Sequence, residues 1–367
     1  MKPLIASYYL PQFHEIPENN EWWGAGFTEW TNVKKAKPLF AGHKQPCYPK
    51  DRFFYDLLDQ RTMEWQSHLA SEHGVDAFCI YHYWFNGKQL LEKPAQNYLK
   101  WNNICTKYYF MWANHDWTRS WTGGNELLIK QTYGGVSDML AHIRYLIPFF
   151  EDDRYVKIDN RPVIEIYEPM KIENREMLLA EWHKACEEAG FAGIHIIAHL
   201  EAHEPASAKE FNSWTAEEHT ASLSEIVRTQ PYLVSKASGM YHRTVNRLTG
   251  KPRIFDYADI VDISVQLSTK HMSDPRFLPQ VCTGWDNTPR YGSRGYIVQG
   301  CSAGAFENFL SQVYSQAVQH KKPIVIIPCW NEWCEGMVLE PTESDGPALL
   351  RSIKSVIGAY NLTKTQK

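Results

Sequence analysis

Short runs of apolar, β-branched and aromatic residues alternate along this chain with longer stretches in which apolar positions recur every three or four residues. The short runs lie at 3–9, 76–83, 108–113, 162–167, 194–199, 213–218, 278–283 and 323–329. The helical patterns between them include 61–74, 137–150, 174–190, 256–267 and 304–320, with Gly74 and Gly190 where helix C-caps belong. Strand and helix in alternation predict βαβ units and a parallel sheet, and eight strands are the barrel number. The expected fold is therefore an α/β chain, a (β/α)8 TIM barrel with long βα loops, forming one domain over residues 1–367. Two stretches break the rhythm: 10–52, too long and aromatic for a plain loop, and 219–255, expected to be an irregular insertion.

In such a barrel the chemistry sits at the C-terminal ends of the strands. There this sequence places Tyr8, Tyr9, Gln12 and His14; Tyr81 to Trp84; Trp112, Asn114 to Trp117 and Arg119; Glu165, Tyr167 and Glu168; His199 and Glu201; Glu217 and Glu218; then Gly284 to Arg290. The last strand, Pro323 to Pro328, is apolar and β-branched, as a central parallel strand should be, and runs into Trp330-Asn331-Glu332-Trp333-Cys334-Glu335-Gly336. Polar and aromatic groups thus gather at one rim.

Composition sharpens this. The chain holds 14 Trp, 20 Tyr and 16 Phe, an aromatic excess that suits sugar rings, whose apolar C–H faces lie flat on indole and phenol while the rim is hydrogen-bonded. An aromatic-rich core is the alternative source of the same excess. A net charge of -4 and the lack of any Lys/Arg-rich run argue against nucleic acid and anionic membranes as partners. The eight cysteines show no CxxC pair and are expected to be reduced. With no signal-peptide pattern near Met1 and no 18-residue apolar run, no integral membrane segment and a cytoplasmic location are expected.

Glycosidic chemistry needs one carboxyl to protonate the departing oxygen and another to assist at the anomeric side. Glu332 and Glu335 are the candidate catalytic pair. A helical turn after the strand would put their Cβ atoms about 5–6 Å apart, which suits retention, whereas inversion needs roughly 6.5–9.5 Å. The tryptophans around them, together with mutual repulsion, should raise one pKa so that one carboxyl stays protonated.

Five segments carry a resemblance: Tyr9 to His14, Glu21 to Asn32, Tyr81 to Gly87, Gly284 to Thr288 and Trp330 to Gly336. In this order, across residues 3 to about 358, they resemble the WbsX-type proteins of bacterial surface-polysaccharide loci, whose domain is similar to glycoside hydrolase family 99. The resemblance implies a glycan-handling barrel. At the Asn331 to Gly336 segment it implies that Glu332 is the base acting on the sugar's own 2-hydroxyl. Glu335 is then the acid on the leaving oxygen and later the base that activates water, with a 1,2-anhydro sugar between the two steps and overall retention, the endo-α-mannosidase type of mechanism. Candidate substrate contacts are Tyr9, Trp22, Trp23, Glu29, Trp30, His82, Trp84, Trp112, Asn114, Trp117, Trp285 and Asp286, with Trp330, Asn331 and Trp333 from the motif itself.

No metal or other cofactor is expected: HExxH and His-Cys spacings, phosphate-cradling glycine loops, GxGxxG and GxSxG are all absent. The leading expectation is a retaining glycoside hydrolase or transglycosylase acting on surface-polysaccharide or oligosaccharide glycans. Two alternatives are a glycosyltransferase of O-antigen or capsular polysaccharide biosynthesis and a non-catalytic glycan-binding barrel.

Overall fold

The computed structural model describes residues 2–119, 126–229 and 244–365. Seven parallel strands form a curled sheet: β1 (Leu4–Tyr9), β2 (Ala77–Phe85), β3 (Lys107–Trp112), β4 (Arg161–Ile166), β5 (His195–Leu200), β6 (Ser213–Ala216) and β7 (Ile324–Ile327). Their order across the sheet is β6-β5-β4-β3-β2-β1-β7. Nearly every strand residue is buried, because one face meets the barrel interior and the other the surrounding helices.

The run expected to be a strand at 278–283 is the exception. It joins both sheet edges through single bridges, Phe277 to Trp214 and Gln280 to Ile326. Leu278 N–H donates to the Trp214 carbonyl and Val281 N–H to the Ile326 carbonyl. Between them Pro279 has no N–H to give, so a continuous ladder cannot form, although its carbonyl accepts from Ile326. The segment closes the barrel without being a regular strand.

Outside the sheet pack α1 (Gln60–His73), α2 (Gly135–Glu151), α3 (Arg175–Glu188), α4 (Tyr257–His271), α5 (Ala303–Gln319) and α6 (Ala348–Thr365). Gly74 ends α1 in the left-handed region at φ 84°, which only glycine adopts without strain, and a Cβ there would strike Ile357 of α6. The stretch 10–52 contains two short helices, Pro17–Trp23 and Glu29–Lys35, which lean over the C-terminal mouth. Of the segment expected to be irregular over 219–255, a helix Glu218–Thr229 takes the start and a strand Arg253–Asp256 the end, while 230–243 lie outside the described residues. That strand joins Tyr296–Gln299 and Trp285–Asp286 in a small sheet beside the mouth. All eight cysteines are free, and among the described residues no helix is long and apolar enough to cross a membrane.

Candidate active site

The Trp330 to Gly336 motif is a hairpin, not the helical turn that its spacing allowed. Asn331–Glu332 pairs antiparallel with Met337–Val338, and Glu335 N–H donates to the Glu332 carbonyl at 3.0 Å. Gly336 permits the return: its φ is +69°, and a Cβ at this position would lie 2.9 Å from the Asp286 backbone nitrogen.

Three anchors fix this hairpin. Asn331 clamps the chain after β1, accepting the Leu10 N–H at 2.8 Å and donating to the Leu10 carbonyl at 3.0 Å. Asp286 holds the other side: its N–H donates to the Glu335 carbonyl at 2.7 Å, while its carboxylate accepts from Gln45 and Thr288. It also meets His43 Nε2 at 2.8 Å, and because His43 Nδ1 accepts the Leu39 N–H, Nε2 carries the proton and donates.

The third anchor is Glu340, which sequence reasoning passed over. It is buried and accepts four hydrogen bonds: from Gln66 (2.7 Å) and the Trp330 indole (3.0 Å) at Oε1, and from Tyr55 (2.7 Å) and the Trp333 indole (2.8 Å) at Oε2. Both tryptophans of the motif are thus pinned by one carboxylate. Burial pushes its pKa up to about 7, while the four donors pull it down.

Above the strand ends lies a cavity of about 410 Å³: Tyr8 on β1, Tyr81 and Tyr83 on β2, His115 to Thr118 after β3, Tyr167, His199, Glu217 and Gln280, then Arg290, Glu332 and Glu335 line it. Arg290 is its electrostatic centre. One guanidinium nitrogen pairs with Glu335, and the other lies 3.1 Å from Glu29 and 3.4 Å from Glu332. Three carboxyls, Glu29 and Glu332 buried and Glu335 half-buried, therefore share one cation, which cannot offset three negative charges. Glu332 is pushed up to about 8, first by burial and then by the charge of Glu335, and burial raises Glu335 as well. The pair consequently holds a proton at neutral pH, in the manner of coupled carboxylates.

A stability consequence follows. A carboxyl whose folded pKa is raised binds more protons folded than unfolded, so stability falls as pH climbs from 4.5 towards about 8. Thermal denaturation across that range should show wild type losing stability relative to Glu332→Gln, in which this titration is absent. Parallel profiles would contradict the raised value.

Glu165 is fully buried and accepts from the cavity-lining Tyr8 OH and from His199 Nδ1, each at 2.8 Å. It pairs with these two, not with the lysine or arginine a buried barrel carboxylate suggests. His199 lines the cavity, and its buried Nε2 meets no protein hydrogen-bond partner.

Of the residues singled out from sequence, the structure brings Trp23, Trp117, Glu332 and Glu335 to the cavity wall. Glu29, Asp286, Trp330, Asn331 and Trp333 stand behind them as supports. The others are packing residues. Tyr9 turns away to donate to Gln66, Trp30 sits against Phe13, Tyr55 and Trp333, and Trp22 meets Trp117 edge-on. His82 and Trp84 face α2, where the Trp84 ring stacks on His142 at 4.5 Å and its N–H donates to Asp138. Trp112 packs against the same His142 and Trp182 of α3. Asn114 ties two loops by bonding Tyr133 and the Glu168 backbone, and Trp285 stacks on Tyr296.

The family described as Glycosyltransferase WbsX matches residues 5–353. The chain is 33% identical over 361 residues to the uncharacterized protein WxcX of Xanthomonas campestris pv. campestris, in two strains, covering 96% of this chain and 49% of that protein. It therefore spans about half the length of these relatives. In structure it is similar to the GH99 endo-alpha-mannosidase of Bacteroides thetaiotaomicron bound to bis-tris-propane, with a TM-score of 0.58 and 12% identity over 100% of this chain and 99% of that one. A second structure of that enzyme gives 0.55 and 13% over 98% of each chain, and a glycoside hydrolase-like protein gives 0.59 and 12% over 97% and 94%.

Proposed function

Because the chain belongs to the family described as Glycosyltransferase WbsX, we propose that it works on glycans, and that it cleaves or transfers glycosidic bonds through Glu332 and Glu335 with retention of configuration. The observation that carries this reading is the carboxyl pair, Glu332 buried and Glu335 half-buried, sharing Arg290 at the mouth of the barrel.

The proposed route uses the sugar's own O2. Its hydroxyl donates to Glu332, and a hydrogen bond to a carboxylate favours the ionised form. Binding thus moves the shared proton from Glu332, its favoured resting place, to Glu335. Glu332 then takes the O2 proton, O2 attacks C1, and the leaving oxygen departs with the proton of Glu335. In the second half Glu335 takes a proton from water, the water oxygen opens the 1,2-anhydro ring at C1, and Glu332 returns its proton to O2. Arg290 follows the charge, shifting its weight between the two carboxylates. His199 Nε2 and the Tyr81 and Tyr83 hydroxyls are suited to hold the sugar's remaining hydroxyls.

The same cavity disfavours a nucleotide-sugar donor. Among its described lining residues Arg290 is the sole Lys or Arg, already shared by three carboxyls, while Asp116 and Glu217 add further acids. A diphosphate would meet repulsion there. A purely binding barrel has no need of a carboxyl cluster that costs stability, whereas catalytic sites commonly carry that cost. Incubating the protein with manno-configured oligosaccharides and, separately, with nucleotide sugars plus glycan acceptors, followed by mass spectrometry, tests the proposal. Shortened or rearranged oligosaccharides are expected; products only from the nucleotide sugars would overturn it.

A further inference from the structure

Behind the catalytic hairpin lies a second, larger groove of about 1030 Å³, whose inner wall is Trp333 and Glu340. One flank is α1, which lays Arg61, Trp65, Leu69 and His73 along the groove at four-residue intervals, a single helix face. The opposite flank is the turn at Lys50 to Phe53. Here Asp51 and Arg52, neither of them glycine, both adopt positive φ, at 56° and 52°. Such conformations persist where the surroundings demand them, and here they set Arg52 and Phe53 at the groove edge.

Phe53 and Trp65 remain 45% and 37% exposed, the only exposed Phe or Trp among the described residues. They touch edge-to-face at 5.4 Å, giving a two-ring platform. The charged residues lining the groove are Lys50, Arg52 and Arg61 together with Asp51 and the buried Glu340. Arg52 pairs with Glu343 at 3.3 Å, while Lys50 and Arg61 form no ion pair among the described residues. Two uncommitted cations beside a solvent-facing aromatic platform suit a ring with an apolar face and an anionic substituent.

We propose that this groove is a second carbohydrate site, taking an oligosaccharide that bears carboxylate groups, with a pyranose face on Trp65 and Phe53 and its carboxylates against Arg61 and Lys50. It is separate from the cavity above the strands and stands whether or not Glu332 and Glu335 are catalytic. Its occupant lies on the reverse of the hairpin that carries them, against Trp333. The site would thus hold an acidic chain alongside the cavity.

The test is saturation-transfer NMR and titration calorimetry on the full chain with a galacturonate trisaccharide, and with a neutral mannose trisaccharide as comparator. Binding of the galacturonate is expected, weakening with added salt and by about tenfold in Trp65→Ala. Arg61→Glu, an exposed change that leaves the platform intact, should abolish it, and Glu335→Gln should leave it unaltered. Absence of binding, equal binding of the neutral trisaccharide, indifference to both groove variants in folded protein, or loss in Glu335→Gln would each overturn the proposal.

Discussion

Glutamine in place of Glu335 is expected to lower turnover by about 10²–10⁴-fold while leaving the fold intact, and Glu332→Gln should do the same. The loss follows from proton traffic: an amide can neither protonate a leaving oxygen nor accept the O2 proton. Stability should move the other way. Removing either carboxylate relieves repulsion in a cluster where three carboxyls surround Arg290, so both variants should denature at or above the wild-type temperature near neutral pH. Kinetics and thermal denaturation measured on the same preparations check this. Turnover persisting in both variants removes the pair from the chemistry.

Alanine in place of Glu340 is expected to do the opposite kind of damage. It strands four buried donors at once, the hydroxyl of Tyr55, the amide of Gln66 and the indoles of Trp330 and Trp333. A loss of about 3–5 kcal/mol is expected, with a melting temperature lower by roughly 4–6 °C. Glutamine is a poor substitute, since its NH₂ would face N–H and O–H donors. Turnover should fall with the loosened hairpin, although Glu340 itself does not line the catalytic cavity. An unchanged melting temperature in Glu340→Ala would show that the hairpin does not depend on this anchor.

Much of the barrel was legible in the chain, because strands that alternate with helical periods have few other ways to bury both faces. The eighth position was misjudged for a local reason, Pro279, which leaves bridges where a ladder was expected. Within the site the difficulty was parity. Successive strand residues point to opposite faces, but in a barrel both faces are buried, so hydrophobicity does not say which is inward. Tyr9, His82, Trp84 and Trp112 were singled out, whereas their neighbours Tyr8, Tyr81, Tyr83 and Met111 face the cavity. The neighbouring tyrosines carried the signal: Tyr81 and Tyr83 share one face, and a phenol hydroxyl suits a wet cavity better than a helix-packed wall.

Arg290 stands at the rim in the sequence reading but receives no role there, because its partners Glu29, Glu332 and Glu335 lie far away along the chain. A lone cation in a loop of Trp, Asp, Asn and Pro is a weak sign by itself. Beside a proposed carboxylate pair it becomes a strong one, since buried acids need a counter-charge. Glu340 escaped notice likewise, as its four donors come from three separate segments.

The central claim, glycan cleavage by the Glu332 and Glu335 pair, is tested most directly by following manno-configured oligosaccharides in ¹⁸O-water by mass spectrometry, with wild type and Glu335→Gln side by side. The account predicts shortened products carrying one ¹⁸O at the new reducing end in wild type and none in the variant. Intact oligosaccharides with wild type, or equal label in both proteins, would contradict it.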